Sequence, residues 1–448
     1  MFDSIVYKVM LGASLLGAAS GFVGTFAVLR RRALVGDMLA HASLPGIGLV
    51  FIIWQTRELL PLSLGALATG LLGVACVAGI ARWTRTAPDA ALGIVLSAFF
   101  GAGVLLMTII QATPEGDKAG LDSYLFGEIA SLRSRDVTII AATGGLLLVF
   151  VIALYKELKV SSFDTGFAAA QGWPTYALDL AIMAAIAVVT VIGLPICGVI
   201  LMAAMLITPA ASARFWTNRL TPMLAIASLF GALAGALGCL LAAPGVFKAL
   251  GIHWLEIGGM VHLPPGPLIV LAGSALLIFS MLAAPEQGIV ARWRGRRRMQ
   301  RMIARDHLLR AMYELSPRPE DARPWIELDK LTNYGGWTDH TVHAKVRDAD
   351  RADLIERDND RIRLTPDGYS KAAELVRAHR LWELYMVGDW DRSPERVDHY
   401  ADDMEHLLPP EVIEELEQKL RAEGRLPSDL PGEVPRSPHV LRSRGGNQ

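Results

Sequence analysis

Long apolar runs alternate with short charged segments up to about residue 285, and no such run follows. A run of roughly 20 apolar residues is long enough to cross a bilayer as a helix. The pattern predicts spans at about residues 9–29, 43–54, 60–82, 91–110, 137–155, 176–191, 196–213, 223–243 and 268–284. The second span is short, begins within residues 37–44 and is open to a partly re-entrant interpretation. The predicted fold class is an all-α polytopic membrane bundle of about 8–9 spans.

The longest uncharged stretch, residues 180–213, is too long for one span. Gly193-Leu-Pro-Ile-Cys-Gly198 lies in its middle, and a Pro/Gly cluster of this kind interrupts a helix. We predict two spans joined here by a tight turn or a re-entrant bend. Small residues four apart, as in Gly231-Ala-Leu-Ala-Gly235, let helix backbones approach closely in lipid and predict a packed bundle.

Basic residues follow the odd-numbered spans. They are Arg30, Arg31, Arg32, Arg82, Arg85, Lys156, Lys159, Arg214, Arg219 and the run at residues 292–301. Loops rich in Lys and Arg stay in the cytoplasm, so the pattern predicts an outside N-terminus and a cytoplasmic C-terminus. Arg133 and Arg135 are the exception, since they follow the fourth span.

Composition changes at about residue 292, after which the chain is dense in Arg, Asp and Glu. The net charge of −1 therefore averages two unlike parts and identifies no partner. The cysteines, Cys76, Cys197 and Cys239, lie in apolar runs without a CxxC pattern, which argues against a disulfide scaffold or a zinc ribbon.

The first apolar run is long and continues into the bundle, so it is predicted to be a span and not a cleavable signal. No Gly-x-x-x-x-Gly-Lys-Ser/Thr phosphate loop occurs, and no nucleotide is expected on this chain.

Three motifs in the membrane part carry a family resemblance. They are Gly36-Asp-Met-Leu-Ala-His-Ala-Ser-Leu-Pro-Gly46, Tyr124-Leu-Phe-Gly-Glu-Ile129, and Ser162-Phe-Asp164 with Ala168, Gly172 and residues 198–213. Over about residues 1–285 the chain resembles the permease subunits of ATP-binding cassette importers for manganese, zinc and iron. The resemblance implies a separate ABC ATPase subunit, an extracytoplasmic metal-binding protein, and a second permease chain, identical or not. It also implies a multi-pass protein of the bacterial inner (plasma) membrane with no catalytic residues.

The segment between the fifth and sixth spans is short and amphipathic. The resemblance assigns Phe163, Asp164, Ala168 and Gly172 to the loop that couples to the ATPase. Phe163, Phe167 and Trp173 would be the apolar anchors of such a helix in a partner's groove. The alternative is an interfacial helix that lies on the membrane.

Asp37 and His41 are candidates for contact with a transported metal. They lie four residues apart, on one face if the stretch is helical, and carboxylate and imidazole suit zinc and manganese. The alternatives are a helix cap for Asp37 and packing for His41. Met202 and Met205 are expected to be packing residues. His253 and His262, in the loop before the last span, are expected to be surface residues, with metal contact as the alternative.

The second part predicts a cytoplasmic winged helix-turn-helix, because helix patterns at about residues 306–315, 325–331 and 338–349 precede a β-ribbon pattern at about 353–365. The candidate recognition helix starts near Thr338. Its DNA-contact candidates are Thr338, His340, Thr341, His343, Lys345 and Arg347. Asp339, Asp348 and Asp350 on the same helix oppose phosphate contact, so DNA remains one possible partner.

Residues 378–385 and 398–406 resemble iron- and manganese-dependent repressors of the diphtheria-toxin-repressor type, over about residues 305–420. The resemblance implies a helical metal-binding and dimerisation segment. Its implied ligands for Mn²⁺, Fe²⁺ or Zn²⁺ are His379, Glu383, Asp402, Glu405 and His406. One departure is Arg310, which stands where manganese-responsive members have a carboxylate, with His307 nearby.

These patterns divide the chain into a transmembrane permease (1–285), a basic juxtamembrane linker (286–304), a winged helix-turn-helix (305–370), a metal-binding and dimerisation segment (371–420) and a disordered tail (421–448). The predicted function is import of a divalent transition metal as the permease of an ATP-driven complex with a metal-responsive domain. The alternatives are a membrane-tethered, metal-dependent DNA-binding regulator and an ATP-independent channel or carrier.

Overall fold

The computed structural model describes residues 4–32, 34–56, 58–112, 132–243, 264–315, 323–389, 410–424 and 426. The chain divides into two compact units, Met1–Arg292 and Trp293–Gln448. Each unit buries its own apolar core, as expected when a strongly apolar sequence is followed by an amphipathic one. The second membrane motif, residues 124–129, lies outside the described residues, whereas the first and third motifs lie within them.

The first unit contains helices and connecting turns, without a strand, in its described residues. Its helices are α1 (Ser4–Leu29), α2 (Leu34–Trp54), α3 (Leu59–Trp83), α4 (Pro88–Gln111), α5 (Ser134–Ala153), α6 (Tyr155–Phe163), α7 (Thr165–Ala170), α8 (Thr175–Arg214), α9 (Leu220–Ala242) and α10 (Pro265–Ala283). Within the described residues nine helical segments are long and apolar enough to cross a membrane, since α8 supplies two. The predicted polytopic all-α bundle is confirmed.

The second span is longer than the sequence pattern indicated. We expected a short span over residues 43–54, but α2 has 21 residues and starts at Leu34. Asp37 and His41 lie inside this helix, because the residues around them are apolar and mostly buried against neighbouring spans. Pro45 is accommodated without ending the helix, as occurs in membrane helices where neighbours compensate the freed backbone group.

The predicted break between the sixth and seventh spans lies at Gly198. This residue interrupts α8 with φ 77° and ψ 164°, a combination that is essentially restricted to glycine. A Cβ atom on Gly193 would lie 2.3 Å from the Met202 sulfur. Nine residues of straight helix would separate these positions by about 13 Å, so the chain bends sharply between them.

Helices α1 and α9 cross in close backbone contact. A Cβ on Gly17 would lie 2.1 Å from the Gly231 carbonyl oxygen, and one on Gly231 would lie 1.9 Å from the Gly17 oxygen. A Cβ on Gly235 would lie 2.4 Å from the Ala13 oxygen. The small residues identified in the sequence therefore permit a helix crossing that no larger side chain would allow.

The second unit contains helices and a small antiparallel sheet. Its elements are α11 (Ile289–Leu315, which starts before the unit boundary), β1 (Ile326–Glu327), α12 (Leu328–Gly335), α13 (Asp339–Asp350), β2 (Ile355–Asp358), β3 (Arg361–Leu364), α14 (Pro366–Asp389) and α15 (Pro410–Ala422). The sheet order is β1-β3-β2, and Ile355 pairs with Leu364 in the β2–β3 hairpin. The order of helices and hairpin is the one that the sequence predicted.

One helix boundary differs from the expectation, and part of the expected linker is helical. The second short helix starts at Leu328 and not near 325, because Ile326 pairs with Ile362 and forms a strand. Residues 289–304 of the expected linker are helical, since they form the first part of α11. Most of the expected disordered tail lies outside the described residues.

Candidate transport and regulatory sites

Asp37 and His41 lie one turn apart near the start of α2. The Nε2 atom of His41 is 3.5 Å from Oδ1 of Asp37, and the imidazole meets the Phe100 ring edge-on at 4.8 Å between centroids. Asp37 is in the first turn of the helix and therefore is not its N-cap. Among the described residues, the buried Nδ1 of His41 has no hydrogen-bond partner. The pair thus presents one carboxylate and one imidazole, and the hydrogen-bonding capacity of the buried imidazole nitrogen is unused among the described residues.

The two methionines of the bent segment have a packing role. Met202 and Met205 are buried, at 0% and 2% exposure. Met202 fills the space beside Gly193, and the methyl group of Met205 lies against Gly17. Both side chains therefore close gaps left by glycines, as expected of flexible thioethers. His253 and His262 lie outside the described residues.

The predicted coupling loop forms two short helices, α6 and α7. Asp164 connects them and caps α7, since its Oδ1 accepts a hydrogen bond from the Phe167 N–H at 2.8 Å. Gly172 ends the loop with φ 83°, a left-handed conformation that favours glycine. Ala168 is fully buried, which fixes the orientation of the short helix.

The apolar side chains of this loop point away from the protein. Phe163 and Phe167 are each 54% exposed and Trp173 is 37% exposed. All three lie on a segment that does not belong to a span. Exposed apolar side chains on a short segment of this kind can dock in a groove of a partner protein or lie at the membrane interface.

A partly buried ionic junction joins α6 to the bundle. Arg30 and Arg32 follow α1, and both bind the carboxylate of Asp179 in α8, at 2.8 and 2.5 Å. Arg30 also donates to the hydroxyl oxygen of Ser161 at 2.9 Å and contacts that of Ser162 at 3.4 Å, at the end of α6. Burial lowers the pKa of Arg30, and the Asp179 carboxylate opposes that effect.

Contacts place the loops that follow the odd-numbered spans at one end of the bundle. The pairs are Arg30 with Asp179, Arg82 over the Tyr176 ring, the Tyr155 and Thr221 hydroxyls, and Gln287 with Asn218. Each pair joins segments that the charge pattern assigned to the same side. The helix order therefore agrees with the alternation of spans predicted from the basic residues.

His379 and Glu383 of α14 form the centre of a buried ionic cluster in the second unit. Both side chains are completely buried, and His379 Nε2 lies 3.2 Å from Glu383 Oε1. Arg380 contacts Glu383 Oε2 at 2.6 Å and Glu314 Oε1 of α11 at 2.9 Å. Arg310 of α11 lies 3.0 Å from His379 Nδ1 and 3.6 Å from Glu314 Oε1.

Hydrogen bonds determine the charge state of this cluster. Burial alone would raise the pKa of Glu383, but its contacts with His379 and Arg380 lower the pKa overall. Tyr334 donates to the second oxygen of Glu314 at 2.6 Å, and burial with this bond raises the pKa of Tyr334. The contacts therefore favour the ionised form of Glu383 beside the Arg380 guanidinium.

Three of the five implied metal ligands, Asp402, Glu405 and His406, lie outside the described residues. Within the described residues, no group of three or more His, Cys, Asp or Glu side chains surrounds a common metal position. His379 and Glu383 supply one nitrogen and one oxygen donor side by side.

The DNA-contact candidates are mostly on the surface of α13. Thr338, His340, Thr341, His343 and Arg347 are exposed. Lys345 is buried at 8% exposure, with its ammonium 3.6 Å from the centre of the Trp337 ring, and burial lowers its pKa to about 8. Lys345 therefore packs inside the second unit, while the other five remain candidates.

Comparison with known proteins identifies the family of the first unit. A model of the ABC 3 transport family matches residues 2–284, more than half of the chain. The chain belongs to the ABC 3 transport family. This ABC 3 family chain also matches the iron dependent repressor, metal binding and dimerisation domain over residues 365–429.

Relatives of this ABC 3 family chain include named transport proteins. The manganese transport system membrane protein MntC of Bacillus subtilis is 36% identical and covers 94% of this chain and 92% of its own length. The zinc transport system membrane protein TroC of Treponema pallidum is 38% identical and covers 66% of this chain and 94% of its own length. A structure of PsaBC from Streptococcus pneumoniae in complex with Fab has 30% identity and a TM-score of 0.52, covering 64% of this chain and 94% of that one.

Sequence reasoning missed several residues of these sites. Asp179 borders the uncharged stretch that defines spans six and seven, and the arginines before α2 were used only for orientation. Their pairing joins positions about 150 residues apart, as Arg30 and Asp179 show. Glu314, Tyr334 and Arg380 likewise lie on three different helices, and no spacing rule connects them.

Proposed function

We propose that the chain imports a divalent transition metal, Mn²⁺, Zn²⁺ or Fe²⁺, as the permease subunit of an ATP-driven complex. The observation that carries this proposal is the conjunction of the ABC 3 family bundle with a capped, aromatic coupling segment at one end of it. The relatives named for manganese and zinc transport support the choice of cargo. Alternating access requires no bond chemistry in this chain, and the ATPase is a separate subunit.

The complex would include further proteins. The exposed side chains of Phe163, Phe167 and Trp173 are the proposed contact with the ABC ATPase. We further propose an extracytoplasmic metal-binding protein on the opposite face and a second permease chain, either identical or a sister subunit. The coupling end would face the cytoplasm of a bacterium, with the protein in its inner membrane and the second unit inside the cell.

Asp37 and His41 are the proposed contacts of the ion during passage. Carboxylate and imidazole suit these metals, and the buried Nδ1 of His41 lacks a partner among the described residues. Asp37→Asn and His41→Gln are each expected to raise the KM for Mn²⁺ uptake about tenfold. Loss of a residue that only supports a metal ligand lowers metal affinity by about 10- to 100-fold, and we take the lower end of that range. Uptake into cells that express the complete transporter measures this effect.

Asp89→Asn provides a matched control for that experiment. Asp89 also lies in the first turn of a spanning helix, α4, but it is exposed. Its replacement is expected to leave uptake unchanged. Uptake with a normal KM in both the Asp37 and the His41 variant would exclude the two residues from the metal path.

The capping carboxylate of Asp164 provides a test of coupling. Asp164→Ala removes the acceptor of the Phe167 N–H, which costs about 1 kcal/mol of helix stability. Metal-stimulated ATP hydrolysis is expected to fall about fivefold, because 1 kcal/mol is worth about that factor in the population of the docked helix. Asp164→Asn keeps a capping side chain and is expected to retain most activity. Equal activity in the two variants would mean that the cap has no part in coupling.

We also propose that the second unit binds the same metal and restrains transport when metal is abundant. His379 and Glu383, with Asp402, Glu405 and His406, would hold the ion. The donor types of the described pair fit a divalent transition metal, and complete burial of His379 and Glu383 excludes water. The domain match over residues 365–429 supports this assignment. Contact with DNA through the five exposed candidates of α13 is a secondary proposal.

A further inference from the structure

A cavity of about 470 Å³ lies in the first unit, at the end of the bundle that carries the coupling segment. Its polar walls are Arg32, Arg82, Tyr176 and Asp179, and its other walls are side chains of α3 and α4 together with Met183 of α8. Its volume is within the range of small-ligand sites, about 300–1,000 Å³. Basic groups beside apolar walls suit a ligand that is itself amphipathic and negatively charged.

The start of α8 brings the two arginines of this cavity together. Tyr176 and Asp179 lie three residues apart in the first two turns of α8, and side chains with this spacing are neighbours on a helix surface. Arg32 binds Asp179 at 2.5 Å, and the guanidinium of Arg82 lies 5.7 Å from the centre of the Tyr176 ring. The two guanidinium groups are therefore held beside one face of α8, although they come from the segment after α1 and from the end of α3.

The lining of the cavity has an excess of positive charge. Asp179 is the one acidic residue among the lining residues, and both Arg30 and Arg32 already bind its carboxylate. Among the described residues, Arg82 has no carboxylate partner, and its cation–π contact with Tyr176 uses none of its N–H donors. A cleft with walls of low dielectric and an excess of one charge attracts ions of the opposite sign.

The position of the cavity along the spans corresponds to the lipid head groups. It lies where the span Leu60–Trp83 ends and the span Pro88–Gln111 begins. Trp83 is 84% exposed, and tryptophan is enriched at membrane–water interfaces. Exposed apolar side chains such as Leu72 and Ile94 continue along the same two helices, as expected of a surface that meets acyl chains. Basic pockets between spanning helices bind anionic lipid head groups.

We propose that this cavity binds the phosphodiester group of an anionic phospholipid between Arg32 and Arg82, with the acyl chains along α3 and α4. Guanidinium groups bind phosphate oxygens through paired, charge-assisted hydrogen bonds. A zwitterionic lipid would place a second cation beside the arginines and therefore bind more weakly. Arg32 shares Asp179 with Arg30, which also donates to Ser161 of α6, so the lipid would contact the junction that positions the coupling segment. The inference requires only a membrane protein and does not depend on the transported metal.

Native mass spectrometry of the full-length protein tests this proposal. The purified chain in a non-ionic detergent is titrated with phosphatidylglycerol, and the apparent Kd of the first bound lipid is compared with that for phosphatidylcholine. Phosphatidylglycerol is expected to bind more tightly. Arg82→Gln is expected to weaken its binding about fivefold, because one basic side chain contributes about 1 kcal/mol beside anionic lipid. The same variant is expected to leave the binding of phosphatidylcholine unchanged.

Matched variants separate the cavity from the surrounding surface charge. Arg85 is exposed, follows the same helix end and does not line the cavity, so Arg85→Gln makes the same change in net charge and is expected to leave lipid binding unchanged. Ala81 is an exposed residue of the cavity wall, and Ala81→Trp would fill the cavity while it keeps both arginines. This variant is expected to weaken phosphatidylglycerol binding at least as much as Arg82→Gln. Ala90→Trp, at an exposed position of α4 outside the lining, is its control.

Thermal unfolding in the same detergent provides a second readout. Phosphatidylglycerol is expected to raise the unfolding midpoint of the original chain and of Arg85→Gln more than that of Arg82→Gln. Weaker binding in Arg82→Gln and Ala81→Trp, with normal binding in their two controls, supports the proposal. Equal affinities in Arg82→Gln and Arg85→Gln, or in Ala81→Trp and Ala90→Trp, overturn it, because binding would then depend on diffuse surface charge or lie elsewhere. Displacement of the bound lipid by inorganic phosphate also overturns it and indicates a site for a soluble anion.

Discussion

Replacing Gly231 with alanine is expected to prevent correct assembly of the membrane bundle. The added methyl group would lie 1.9 Å from the carbonyl oxygen of Gly17, and backbone atoms cannot move aside as a flexible side chain can. Overpacking of an ordinary core costs about 1–3 kcal/mol, and this contact is expected to exceed that range because α1 and α9 must separate. Size-exclusion chromatography and thermal unfolding in detergent measure the loss of folded protein.

Gly101→Ala is the matched control for Gly231→Ala. Gly101 lies in the spanning helix α4, and a Cβ there would have no neighbour within 4 Å. The same methyl group is therefore expected to leave stability unchanged or to raise it by about 0.4–1 kcal/mol. Equal elution and equal unfolding midpoints for the two variants would contradict the close crossing of α1 and α9.

The second large effect is expected for Asp179→Asn. Asparagine keeps the shape but removes the charge that both Arg30 and Arg32 bind. Two guanidinium groups would then share a partly buried site without a counter-ion, which we expect to cost about 2 kcal/mol, less than the 3–5 kcal/mol of a fully buried pair. Thermal unfolding measures this cost, and metal-stimulated ATP hydrolysis is expected to fall with it, since the junction also holds Ser161 at the end of α6.

Asp89→Asn again serves as the control, because it neutralises an exposed acidic residue at the start of another spanning helix. A double variant, Arg30→Gln with Asp179→Asn, also removes the more buried of the two arginine charges and is expected to be more stable than Asp179→Asn alone. If Asp179→Asn has the unfolding midpoint of the original chain, the junction is too hydrated to contribute to stability.

The sequence was most informative where one local pattern decides the structure. Apolar length placed the spans, and the Pro/Gly cluster located the break that the structure shows at Gly198. The second span was predicted too short, because Asp37 and His41 were treated as a boundary. The helix nevertheless includes both residues. A 21-residue apolar segment that packs against other spans can accommodate two polar side chains that neighbouring residues partly cover.

Other features depend on contacts between distant residues, which a single sequence does not reveal. The glycine pattern at Gly231 predicted a close crossing, but nothing in it identified Gly17 as the opposing residue. Lys345 is different, because its burial follows from spacing alone. It lies three residues after Val342 and four before Ala349, on the face of α13 that packs inward.

The interruption at Gly198 has an electrical consequence. An unbroken helix has one macrodipole, with a partial negative charge at its carboxyl end. Dividing the helix into Thr175–Pro195 and Cys197–Arg214 creates a carboxyl end and an amino end inside the bundle. Backbone carbonyls at the new carboxyl end attract cations, and the N–H groups at the new amino end repel them. The bend therefore gives the interior of an otherwise uncharged segment a local polarity that no side chain supplies.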